Sequence, residues 1–135
     1  MPRFTTLCLL GFFAAFTMAM NLADPLGDYK WAVKVIPDPQ AISDGGKPFD
    51  DTLSFKNGTF KSEYLLKKGF KPASYDEDMR KYGPATFTVT VKSDSGETVK
   101  WTGTVAATSI TGDIVWTKKD GTIMNFSYSG ERAED

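Results

Sequence analysis

From Thr86 to Tyr128 apolar and polar residues alternate with little interruption, and this period of two narrows the choice of fold more than any other feature of the chain. Phe87, Val89 and Val91 fall on one face of a strand, while Thr86, Thr88, Thr90 and Lys92 fall on the other. Successive side chains of an extended chain point to opposite faces, so a segment of this kind buries one face and wets the other. Val99, Trp101, Gly103 and Val105 repeat the pattern, Ile114 and Trp116 continue it, and Met124, Phe126 and Tyr128 complete it. Threonine is frequent on the polar side, where its β-branch suits a pleated, solvated surface. Strands joined by connections this short pair as antiparallel neighbours.

Upstream, Tyr29-Lys30-Trp31-Ala32-Val33-Lys34-Val35-Ile36 reads as a first strand with Tyr29, Trp31, Val33 and Val35 facing in; Pro37-Asp38-Pro39 ends it, because proline offers no donor to a ladder. Residues 51–56 and 59–65 form a hairpin across Asn57-Gly58, the dipeptide suited to the positive φ angles of a type I′ turn. Leu53 and Phe55 then share a face with Phe60 and Tyr64. Ser93-Asp94-Ser95-Gly96 and Asp120-Gly121-Thr122 are further turns. Alternation stops between residues 67 and 84. There Ser74 as a cap, the acids Asp76, Glu77 and Asp78, the bases Arg80 and Lys81, and the stop Gly83-Pro84 predict a single helical turn. The expected fold is therefore all-β: an antiparallel up-and-down meander of seven or eight strands closed into a small barrel, with one short helical turn in the central connection.

The first residues differ from all of this. Arg3 is followed by an apolar run from Phe4 to Phe16 and by Thr17-Met18-Ala19, which reads as a secretory signal peptide over residues 1–19, cut after Ala19, with one β domain over 20–135. The alternative is a retained anchor, since Phe4 to Met20 is close to the shortest helix that spans a bilayer. Cleavage leaves a secreted or periplasmic chain without stable membrane insertion. It also removes Cys8, the only cysteine. The sequence has no histidine, which excludes the commonest general base and transition-metal ligand. With a net charge of −1 and a pI near 5.4, the chain has no basic field to attract nucleic acid. No catalytic signature, metal-ligand spacing or cofactor motif is present, so the expectation is a monomeric non-enzyme without metal or cofactor.

Ring-bearing inward positions remain as candidates. Trp31, Phe55, Tyr64, Trp101, Trp116 and Phe126 are expected to contact a small hydrophobic ligand if the barrel interior is open, with residues 39–49 and 70–83 as its rim; otherwise the same rings simply fill the core. Asp38, Asp44, Asp50 and Asp51 invite a calcium site, but their spacing matches no EF-hand loop, and the expected reading is a solvated turn, where aspartate is common. Gly27-Asp28-Tyr29-Lys30-Trp31 at the first strand and Ser129-Gly130-Glu131-Arg132 at the last give the chain a further likeness. Here it resembles the calycin superfamily, that is lipocalins, fatty-acid-binding proteins and avidin-like barrels, in which a tryptophan on the first strand is covered by an arginine at the end of the last. The resemblance implies a barrel closed at one end by Trp31 and Arg132 through a cation–π contact. The expected function is an exported, lipocalin-like binding module that holds a small apolar or amphipathic ligand at the barrel mouth. The alternative is a structural or protein-interaction domain of the cell envelope with a solid core.

Overall fold

The computed structural model describes residues 26–27, 29–78 and 83–133. The segment expected to act as an export signal and the C-terminal half of the expected helical turn lie outside them. The strands are β1 (Tyr29–Pro37), β2 (Phe49–Lys56), β3 (Thr59–Ser62), β4 (Ala73–Ser74), β5 (Asp76–Asp78), β6 (Ala85–Lys92), β7 (Thr98–Ala106), β8 (Ser109–Thr117) and β9 (Ile123–Ala133). Two single-turn helices, α1 (Pro39–Ser43) and α2 (Glu63–Leu66), sit in the connections after β1 and β3.

All pairings are antiparallel, and the spatial order is β4-β3-β2-β1-β9-β8-β7-β6-β5. The two edges, β4 and β5, are consecutive in the chain and separated only by Tyr75. One traverse of the chain thus pairs with β3 in its first part and with β6 in its second. The nine segments make eight traverses of a nearly closed up-and-down barrel. A bridge between Phe70 and Ser93 and a bond from the Lys71 amide to the Lys92 carbonyl, 3.0 Å, draw the seam together near one end.

Alternation maps onto burial as expected except at Tyr29, which was expected to face in and is exposed at the start of β1. Trp31, Val33 and Val35 are buried and Ala32, Lys34 and Ile36 exposed along β1, and β6 to β9 repeat this. The outer face carries cross-strand hydroxyl rows such as Thr86–Thr104–Thr111–Ser129. Asn57 and Gly58 both have positive φ, 54° and 78°, as a type I′ turn requires.

Three local readings need correction. Ser74 and Asp76–Asp78 are strand, because Asp76, Glu77 and Asp78 pair with Thr88, Phe87 and Thr86, and ladder formation overrides their helix-start composition. The helical turn of the central connection lies earlier, in α2. There the expected strand 59–65 breaks after Ser62, whose hydroxyl caps the helix by accepting the Leu65 amide at 3.2 Å. The irregular stretch after β1 likewise begins as α1, with Pro39 in its first turn and the Asp38 carboxylate accepting the Ala41 amide at 2.8 Å.

The interior divides into two sets of rings. Phe55, Phe60, Phe87, Trp101 and Tyr128 form a continuous ring cluster with tilted, edge-to-face and stacked neighbours, their centroids 4.9 to 6.4 Å apart. With Trp31 and Leu53 these residues belong to one buried cluster inside the barrel. A second chain of rings, Phe70, Trp116, Phe126, Phe49 and Tyr64, lies toward the other end.

Candidate functional site

Topology sends four connections to one end of the barrel: residues 38–48, 63–72, 93–97 and 118–122. At the opposite end the β2–β3 and β7–β8 turns are tight. The end with the longer connections opens into a cup of about 560 Å³, within the size range of small-molecule sites. Its walls are Phe49, Tyr64, Phe70, Trp116, Met124 and Phe126, all but Phe49 and Tyr64 being buried from bulk solvent.

Each wall is held for a local reason. Phe49 starts β2 and stacks on Tyr64, with centroids 3.8 Å apart and planes 10° apart. Tyr64 is placed by α2, and α2 is anchored by Asp51. This buried carboxylate accepts the Ser62 hydroxyl, the Tyr64 amide at 2.9 Å and the Thr52 amide at 2.7 Å. Burial pushes the Asp51 carboxyl above its ordinary value, against the opposing pull of those three donors. Trp116 comes from β8, and its indole N–H donates to Glu97 in the β6–β7 turn at 3.0 Å, which fixes the ring plane. Phe70 packs edge-on to Trp116, centroids 5.6 Å apart, where the Phe70–Ser93 bridge brings the seam in.

Cations stand at the opening. Lys68 Nζ lies 5.0 Å from the Tyr64 ring centroid and Lys118 Nζ lies 4.9 Å from that of Trp116, so both run their apolar stems along the wall toward its edge. Lys47 lines the cup from the connection before β2, and Glu97 is the one acid in the lining.

Three of the six rings expected to meet a ligand, Tyr64, Trp116 and Phe126, line this cup. The other three, Trp31, Phe55 and Trp101, are fully buried in the core, and they line none of the surface cavities described. The rim includes part of the expected 39–49 segment. Among the described residues of 70–83 only Phe70 contributes, because residues 73–78 run down the wall as β4 and β5. Met124, Lys68 and Lys118 were missed, while Lys47 and Phe49 fall inside the expected 39–49 rim without having been singled out. Met124 alternates correctly with Phe126, but no local signal tells a cup-lining ring from a core ring.

Trp31 and Arg132 are register partners across β1 and β9, and the Arg132 guanidinium covers Tyr29, 4.2 Å from the ring centroid. The four aspartates do not converge. Asp38 caps α1, Asp44 accepts the Gln40 side-chain amide at 3.3 Å, Asp50 pairs with Lys34 at 3.5 Å, and Asp51 anchors α2. Among the described residues no acidic, cysteine or histidine group is placed to hold a metal ion, and no helix is long and apolar enough to cross a membrane.

No protein-family model, curated protein or solved structure matches this chain. The cup's own geometry therefore carries the functional argument.

Proposed function

We propose that the protein is an exported, lipocalin-like binding module that holds a small amphipathic molecule in the cup at one end of its barrel. The observation that carries this reading is the cavity itself: a connected chain of rings, Phe70, Trp116, Phe126, Phe49 and Tyr64, lines it together with three lysines and Glu97. An apolar body fits between Phe49, Trp116 and Phe126, and a polar end remains at the opening among the lysines.

Titration of the purified protein with medium-chain alkyl and aryl probes, followed by tryptophan fluorescence and thermal shift, tests the proposal. Saturable binding with a raised melting temperature is expected. Absence of both signals across the panel overturns it. In that event the alternative reading gains ground, in which the solid ring cluster is a scaffold and the outer threonine rows or the connections meet a protein partner.

A further inference from the structure

Building on the proposed reading of the cup, we infer that its ligand carries an anionic head, a carboxylate or a phosphate monoester, on an apolar body. Three lysines, Lys47, Lys68 and Lys118, line the cup against one acid, Glu97. They come from three different connections, those after β1, β3 and β8, and so converge on the opening from separate parts of the chain. Glu97 does not balance them on equal terms, because its carboxylate already accepts the Trp116 indole N–H at 3.0 Å. Among the described residues none of the three lysines forms an ion pair, whereas Lys34 and Lys71 do, with Asp50 and Asp94.

The geometry adds direction to the charge. Lys68 and Lys118 rest over Tyr64 and Trp116, so their ammonium groups stand where the apolar wall meets water. A ligand body seated against the rings displaces water there, and each ammonium then interacts more strongly with a nearby opposite charge than it does in bulk solvent. A neutral head leaves those cations hydrated and unmatched, and a cationic head meets like charge. The net charge of −1 for the whole chain conceals this local excess.

Calorimetry and tryptophan fluorescence with decanoate, decyl phosphate, decanol and decylamine, at matched chain length and two salt concentrations, test the inference. Decanoate and decyl phosphate are expected to bind about tenfold or more tighter than decanol, an advantage that shrinks with added salt. Their order shows which head the cup prefers. A Lys47→Gln, Lys68→Gln, Lys118→Gln variant with unchanged melting temperature is expected to bind the anions no better than decanol. Equal affinity of decanol and the two anions, or tighter decylamine binding, overturns the inference and leaves the cup reading standing. Failure of all four probes to bind overturns both.

Discussion

The hydroxyl of Tyr128 on β9 donates to the backbone carbonyl of Thr102 on β7, 2.9 Å away, reaching across the whole width of β8. It can do so because Gly112 on β8 and its register partner Gly103 on β7 leave no side chain in its way. One hoop of the barrel thus runs Phe87, Gly103, Gly112, Tyr128, Val35, with two vacant positions between two large rings. Burial pushes the Tyr128 phenol well above its ordinary value, so it stays protonated and a donor at any working pH.

Gly103→Ala is therefore expected to destabilise the barrel by about 2 to 3 kcal/mol, since a methyl group there meets the Tyr128 hydroxyl and the Phe87 ring. Tyr128→Phe alone is expected to cost about 1 kcal/mol for the lost bond. The double variant should cost less than the sum, because removing the hydroxyl relieves part of the clash. Urea denaturation of the four proteins in this cycle measures the coupling, and strict additivity refutes the contact.

Asp51 gives the fold an unusual pH response. Below its ordinary value of 3.8 the carboxyl is protonated in both folded and unfolded chains. As pH rises from 3.8 toward the raised folded value, the unfolded chain loses its proton first, so stability falls across that window and then levels. Asp51→Asn should abolish this component while keeping an acceptor for the Tyr64 amide. Asp51→Ala should cost about 2 kcal/mol by stranding the Ser62 and Tyr64 donors. Melting curves of the three proteins between pH 3 and 7 read both effects, on the scale of ordinary carboxylate titration.

The barrel was legible in the sequence because a period of two is a backbone property repeated over many residues, and Asn57-Gly58 fixed one turn by conformational preference alone. Residues 63–66 and 76–78 were misread because segments this short carry weak local preferences, whether mostly apolar, as in Glu63-Tyr64-Leu65-Leu66, or acidic, as in Asp76-Glu77-Asp78. Asp51, twelve positions before Glu63, decides the first, and pairing with β6 decides the second. The cup was foreseen as a mouth, but which rings line it depends on how deep each sits. Trp101 and Trp116 alternate identically in sequence, yet one fills the floor and the other forms the wall.

The β7–β8 turn shows what the sequence hides. Ala107 takes a φ of 57° with neither glycine nor asparagine to signal it. A left-handed conformation disfavours alanine and is tolerated by asparagine and glycine. Ala107→Asn is expected to raise stability by about 0.5 to 1 kcal/mol, with ligand affinity unchanged because the turn lies at the end opposite the cup. A lowered denaturation midpoint contradicts this.

The three tryptophans separate the cup from the floor by spectroscopy. Trp31 and Trp101 are fully buried, whereas Trp116 lines the cavity. Ligand-induced fluorescence change is expected to vanish in Trp116→Phe and to persist in Trp101→Phe. The opposite pattern moves the ligand into the ring cluster and away from the cup.

The seam is where closure is weakest. β4 contributes two residues to its ladder and β5 three, against nine in β7 and in β8, so local opening there breaks far fewer bonds than opening elsewhere. Two seam amides report on its two ends: Lys71 donates to the Lys92 carbonyl beside Phe70, and Tyr75 donates to the Gly58 carbonyl at 3.2 Å. Both are expected to exchange with solvent faster than the amides inside β7 and β8 by at least about tenfold. Because Phe70 lines the cup and is bridged to Ser93, a bound ligand braces that end of the seam. Exchange at Lys71 should therefore slow on ligand addition while exchange at Tyr75 changes little. Amide hydrogen exchange followed by NMR with and without decanoate reads both rates. Equal slowing at the two positions points to global stabilisation in place of a braced seam, and seam amides as slow as those of β7 show that the two short pairings close the barrel as firmly as its long ones.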